Sequence, residues 1–258
     1  MACAIVAKKL HVKVAHVEGG IRSFDVSMPE EINRIVTDSI TDYFYVTSKT
    51  AIDNLKYIGV NDNQIFLVGN TMIDTLIANF KRLRKPQIWV EKSLKKGNYL
   101  VLTLHRPSNV DQEEILKEFI TEIVLSSKGM PIIFPVHPRT KLMLAKLDLN
   151  FGNLFFIEPL GYLEFNYLVK NSLCVITDSG GITEEATFLN IPCLTLRDNT
   201  ERPETVSVGT NILVGTNPKN LYEPMEKILN NNCKSGSIPE FWDGKASERI
   251  VKHLVSLI

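Results

Sequence analysis

The sequence predicts an α/β protein of two Rossmann-like, doubly wound parallel domains, the first of them incomplete. Three observations point there. Short apolar runs rich in β-branched residues alternate with helix-length segments along nearly all 258 residues. Those runs are continuous rather than alternating in polarity, as in strands covered on both faces. One basic stretch, 81–98 (KRLRKPQIWVEKSLKKGN), interrupts the alternation and reads as a linker. It separates a partial domain, 1–80, from a fuller one, 99–235, with residues 236–258 following.

The strand candidates before the linker are 12–17 (VKVAHV), 43–47 (YFYVT) and 65–69 (IFLVG). After it come 99–104 (YLVLTL), 131–136 (PIIFPV), 154–158 (LFFIE), 173–177 (LCVIT), 192–196 (PCLTL) and 211–215 (NILVG). Helices are expected over 30–41, 48–58, 111–127, 161–170 and 217–230. A doubly wound domain takes about 150 residues. Three strands in 80 residues fall short of that, and Met1 opening directly on a helical pattern (ACAIVAKKL) fits a start within a domain.

Composition excludes several classes. Lys plus Arg and Asp plus Glu both number 29, so no net field favours nucleic acid or an anionic membrane. The four cysteines are far apart, without CxxC spacing, and Cys174 and Cys193 sit inside apolar runs. That argues against a zinc site or a disulfide framework and for a reducing, cytoplasmic setting. No apolar run approaches the ~18 residues of a membrane helix. The expected partner is a small molecule.

Four segments carry chemistry. In TDSGGITEEA (177–186) a strand runs into a Ser-Gly-Gly turn and a helix, an arrangement suited to an anion. There Ser179, Gly180 and Gly181 would bring N–H and O–H donors to a phosphate. Glu184 and Glu185 read as first-turn charges, and Glu185 is the better candidate for ribose hydroxyls. In AHVEGGIRSFDVSMPEEINR (15–34), Glu18 ends a strand beside two glycines, and Glu30 and Glu31 follow Pro29 at a helix start. Glu31 reads as a structural first-turn charge, whereas Glu18 and Glu30 suit acid and base roles.

In LTLHRPSNVD (102–111), His105 and Arg106 end a strand and suit a pyrophosphate leaving group. His137 ends the next strand in the same way, with a weaker case. In RDNTERPETVSVGTN (197–211), Arg197 and Arg202 are both candidates for phosphate, and Arg202 is preferred. His11, His16 and His253 read as structural.

In this order, these segments resemble the UDP-N-acetylglucosamine 2-epimerase family. HVEGGIRS resembles its HVEAGLRS-type segment, MPEEINR its PEE-x-NR segment, and GNTMID, TDSGGITEEA and RDNTERPE match closely. HRPSN replaces the family's HR-x-EN, with Ser108 at the carboxylate position. The family's early strands, with a basic phosphate loop and an acidic partner of Glu18 and Glu30, have no counterpart here.

The resemblance implies a glycosyltransferase-B-like architecture, UDP-GlcNAc or UDP as ligand, and no cofactor or metal. It further implies a homodimer, and a last helix (247–258) packing back on the first domain. Glu18 and Glu30 would be acid/base carboxylates and His105 would assist the leaving phosphate. Ser179, Gly180, Gly181 and Arg202 would hold diphosphate or uridine, Glu185 the ribose, and Phe165 would lie against uracil. The implied reaction eliminates UDP to a glycal and adds it back, giving UDP-ManNAc. The alternatives are a hydrolysing epimerase releasing ManNAc and UDP, or an inactive UDP-binding fragment.

Overall fold

The computed structural model describes residues 1–147 and 149–257. In chain order its elements are α1 (Ala2–Lys9), β1 (Ala15–Val17), α2 (Pro29–Ser39), β2 (Tyr43–Val46), α3 (Lys49–Tyr57), β3 (Ile65–Leu67) and α4 (Thr71–Asn79). There follow α5 (Gln87–Glu91), β4 (Leu100–Thr103), α6 (Pro107–Val110), α7 (Glu113–Ser126), β5 (Ile132–Pro135), α8 (Pro138–Leu144) and β6 (Leu154–Ile157). The last are α9 (Tyr162–Asn171), β7 (Cys174–Thr177), α10 (Gly180–Phe188), β8 (Cys193–Thr195), α11 (Pro203–Ser207), β9 (Asn211–Leu213), α12 (Tyr222–Leu229) and α13 (Ala246–Val255).

The expected class is borne out, since every strand pairing is parallel. The chain forms two compact units. One comprises Met1–Ala78, Thr200–Glu204 and Pro239–Ile258; the other comprises Asn79–Asn199 and Thr205–Ile238. The basic stretch 81–98 holds α5 and buries Ile88 and Leu94, and it belongs with the second unit.

The first unit carries a three-stranded sheet, β1-β2-β3. Alternate residues of β2 face opposite sides: Phe44 and Val46 pack with Leu55 of α3, while Tyr45 packs with Val68 and Ile250 of α13. Helix α3 starts where the Ser48 hydroxyl accepts the Ala51 N–H at 3.3 Å. Helix α13 borrows its cap from a distance, because Asp74 of α4 accepts from Ala246 N (3.1 Å) and Ser247 N (2.6 Å). That explains the acidic residue in GNTMID. Arg249 donates to the Val68 carbonyl at 2.9 Å, and the Tyr45 hydroxyl meets His253 Nδ1 at 2.8 Å. Gly69 of the same motif has φ +93°, and a Cβ there would stand 2.1 Å from the Phe241 carbonyl oxygen. Only glycine fits.

The second unit carries a six-stranded sheet, β6-β5-β4-β7-β8-β9. Leu100, Leu102, Ile132, Phe134, Cys174 and Ile176 fill the core on one face. Val101, Ile133, Val175 and Cys193, the alternating positions, fill the other. Continuous apolar strands follow from this double burial. Strand order reverses between β4 and β7, and the carboxyl ends at such a switch point are where open α/β sheets take ligands. Among the described residues, no helix is long and apolar enough to cross a membrane.

Candidate active site

At the switch point of the second unit, one carboxylate organises two loops. Asp178, fully buried after β7, accepts the backbone N–H of His105 (3.0 Å) and of Arg106 (2.9 Å), and the Asn109 side-chain amide (3.2 Å). Its other oxygen stands 2.7 Å from His105 Nδ1, and Arg106 Nε donates to the Asp178 carbonyl at 2.9 Å. Thr103 and Thr177 join β4 to β7 just below, hydroxyl to hydroxyl at 2.6 Å. Burial pushes the Asp178 carboxyl upward. Its hydrogen bond with His105, that ring's charge and the Arg106 and His105 N–H groups outweigh burial and leave it below the usual aspartate value. Asp178 therefore fixes the ring and the backbone of the His-Arg pair.

Ser179 follows at the N-cap of α10, its N–H donating to Thr177 Oγ1 at 3.0 Å. Gly180 and Gly181 are the first two helical residues. This corrects the expected position of the glutamates. The glycines are themselves helical, so the first turn holds no acid, and Glu184 and Glu185 lie buried in the second. The N-terminal N–H groups of α10 are left without a neighbouring negative charge of that turn, as an anion site requires.

Glu185 Oε1 accepts from Asn166 Nδ2 of α9 at 3.3 Å. Burial holds its carboxyl above the usual value, against the pull of Tyr162 and Asn166. Phe165, also on α9, packs partly buried against the sheet core.

His137 is exposed, its ring centroid 6.1 Å from that of His105. Its Nδ1 accepts the Arg139 N–H at 3.3 Å and so caps α8. Arg197 is buried and donates to Asn199 Oδ1 at 3.1 Å.

In the first unit, the turn after β1 presents Glu18. Its φ is +66°, a left-handed conformation that costs a non-glycine residue roughly 1 kcal/mol. The turn is clamped nonetheless. Glu18 N and Gly19 N both donate to the Tyr45 carbonyl (2.9 and 3.3 Å). Gly20, at φ +76°, donates to Asp38 Oδ2 at 3.1 Å, and a Cβ on it would stand 2.4 Å from the Ala51 carbonyl oxygen. Asp38, wholly enclosed, also pairs with His16 (2.6 Å) and Arg22 (2.6 Å). Glu31 accepts Ser23 N (3.0 Å), Phe24 N (3.1 Å) and Arg34 (3.1 Å). His16 and Glu31 are thus structural, as read from sequence.

Glu18 Oε2 pairs with Arg202 at 2.8 Å. Sequence reasoning set Arg202 on phosphate; here it meets the candidate acid/base carboxylate. Glu30 is exposed in the first turn of α2. Glu204, two residues beyond Arg202, has both carboxylate oxygens enclosed and, among the described residues, without a hydrogen-bond partner. Burial holds its carboxyl above the usual value against its own N–H and Arg202, and the charge of Glu18 adds to the rise.

Sequence reasoning did not single out Asp178, Asp38, Asn166 or Glu204. Asp178 had a visible signal, an acid between a strand end and the Ser-Gly-Gly turn. The others had none.

A family model for UDP-N-acetylglucosamine 2-epimerase matches residues 1–255. The UDP-N-acetylglucosamine 2-epimerase of Methanocaldococcus jannaschii is 46% identical over 98% of this chain and 72% of its own. The UDP-2,3-diacetamido-2,3-dideoxy-D-glucuronate 2-epimerase of Pseudomonas aeruginosa is 38% identical over 100% of this chain and 72% of its own. Among solved structures, the M. jannaschii UDP-GlcNAc 2-epimerase in complex with UDP-GlcNAc and UDP matches at TM-score 0.86 and 46% identity, covering 99% of this chain and 72% of that one. The S. aureus MnaA–UDP structure matches at TM-score 0.86 and 29% identity, covering 100% and 72%. With its motifs placed as described, and matched by the model over nearly its whole length, the chain belongs to the UDP-N-acetylglucosamine 2-epimerase family.

Proposed function

We propose that the protein interconverts UDP-N-acetylglucosamine and UDP-N-acetylmannosamine by eliminating UDP across C1–C2 and adding it back. The C2 proton has no neighbouring carbonyl and is a poor target for simple abstraction. Elimination solves this: a base takes the proton as the C1–O bond breaks, UDP departs and a glycal remains. Protonation at C2 from the opposite face, with return of UDP to C1, gives the epimer. Glu18 and Glu30 are the proposed acid/base carboxylates. His105 and Arg106 steady the departing diphosphate, with Ser179, Gly180 and Gly181 at the α10 N-terminus, and Arg202 is a further phosphate ligand. Glu185 takes the ribose and Phe165 the uracil. His137 is retained as a secondary contact.

The observation that carries this reading is the Asp178 hub. A buried carboxylate there holds one imidazole and one guanidinium at the end of a sheet, beside a helix N-terminus that its N-cap side chain does not close. Incubation with UDP-GlcNAc, followed by NMR, is the direct test, and the expected products are the C2 epimer with traces of glycal and UDP. Neither epimer nor glycal would reject the proposal. Free ManNAc with stoichiometric UDP would instead make the chain a hydrolysing epimerase. UDP binding without any turnover would leave it an inactive binder.

The Pseudomonas relative is named for a diacetamido glucuronate substrate, so UDP-2,3-diacetamido-2,3-dideoxyglucuronate belongs in the same assay; faster turnover there would move the assignment to that sugar. We further expect a homodimer in light scattering.

A further inference from the structure

Glu185 poses a physical problem. A carboxylate that accepts from ribose hydroxyls serves best ionised and fixed, yet this one is buried, which favours the neutral form and leaves its rotamer to its neighbours. The neighbours are Tyr162 and Asn166, spaced i,i+4 on the same face of α9.

Asn166 is fully buried and spends both amide hydrogens: Nδ2 donates to Glu185 Oε1 at 3.3 Å and to the Tyr162 carbonyl at 3.4 Å. Among the described residues, its Oδ1 is enclosed with no hydrogen-bond partner, as is the Tyr162 hydroxyl. Burial holds the Tyr162 hydroxyl well above the usual tyrosine value, and the Glu185 charge beside it adds to the rise. Leu168 and Val169 beside it show that this side of α9 faces an apolar core. There, a leucine in place of Asn166 would avoid the penalty of an enclosed acceptor left unmade. A buried amide at that position has one evident task, the carboxylate it touches. Asn166 holds Oε1 of Glu185, and among the described residues no hydrogen bond of this geometry engages Oε2.

We propose that Asn166 is the positioning residue of Glu185: it turns the carboxylate so that its second oxygen meets a vicinal ribose diol, and thereby sets a preference for ribo- over 2′-deoxyribonucleotides. This rests on the reading of Glu185 as the ribose ligand.

Calorimetry on the full chain with UDP and 2′-deoxy-UDP tests it. The wild type should prefer UDP by roughly 10–100-fold, the worth of one charge-assisted hydrogen bond. Asn166→Leu should weaken UDP about 10-fold, leave 2′-deoxy-UDP within about 2-fold and so narrow the preference. Glu185→Gln should abolish the preference. If the wild type shows no preference or binds neither nucleotide, the ribose reading of Glu185 falls and the proposal with it. If the wild type discriminates and Asn166→Leu discriminates equally, or loses both nucleotides equally, only the positioning role is overturned. Should Asn166→Leu fail to fold, Asn166→Asp keeps the shape and puts an acceptor against Glu185. It should lose the preference as well, and its keeping it would overturn the proposal.

Discussion

Replacing Asp178 by alanine strands the groups it holds. The N–H groups of His105 and Arg106 lose their acceptor, and Asn109 Nδ2 keeps only the Leu196 carbonyl at 3.2 Å. A buried donor left unsatisfied costs ~1–3 kcal/mol. His105 is partly exposed, so water relieves some of this, and a loss of about 3–5 kcal/mol is expected. The two tryptophans divide between the units, Trp242 in the first and Trp89 in the second, where Trp89 packs edge-on against Tyr99 and Tyr167. Urea unfolding in a Trp242→Phe background therefore reports the second unit. The midpoint should fall with the slope unchanged.

The effect has a pH signature. Asp178 sits below the ordinary aspartate value of 3.8 when folded, so its contribution is complete above that value. It is lost as pH falls through the folded pKa. The gap between wild type and Asp178→Asn should therefore be constant near neutrality and close below about pH 4. A cost under ~1 kcal/mol for Asp178→Ala, or a gap that widens in acid, would refute the hub.

Three further outcomes are expected. Glu18→Gln should lower epimerisation by roughly 100-fold or more while UDP affinity in calorimetry stays within about 2-fold; turnover within about 3-fold of wild type would remove Glu18 from the chemistry. Gly69→Ala should destabilise the first unit by about 3 kcal/mol, read from Trp242 fluorescence, since φ +93° and the Phe241 carbonyl both oppose a Cβ. A native midpoint unchanged by it would mean the turn relaxes freely. Burial pushes the Cys193 thiol up to about 12 and Cys174 well above the usual range, whereas Cys3 and Cys233 are exposed. A thiol reagent should therefore label two of the four cysteines natively and all four in denaturant. Native labelling of Cys174 or Cys193 would contradict the packing between β7 and β8.

The strands were legible because doubly covered parallel strands leave no polar alternation to confuse; each candidate run contains one strand, shortened at its ends. Helix starts were less so. The glycines of TDSGG suggested a turn, but both are helical, which displaced Glu184 and Glu185 by a turn. What sequence cannot display is a partner chosen by the fold. The ion pair of Glu18 with Arg202 joins residues 184 apart. Asp74 finds its helix end 172 residues downstream. Asn166, in GYLEFNYL, has the look of a polar surface position until α10 is laid against it. A motif announces its glycines and charges, while the residue that aims them is announced only by contact.

The Asp178 hub also constrains how the chain reaches its native state. β4, β5 and β6 pair in sequence order, but β7 must close beside β4, joining His105 to an aspartate 73 positions later. Closing a loop of that length costs about 4 kcal/mol of chain entropy before any contact repays it. The proposed nucleotide site is thus tied to a non-local closure and to the speed limit such closures set. During refolding, recovery of UDP binding should follow the formation of the central β4–β7 ladder, not that of the β4–β5 and β5–β6 pairs, which close through shorter helical crossovers.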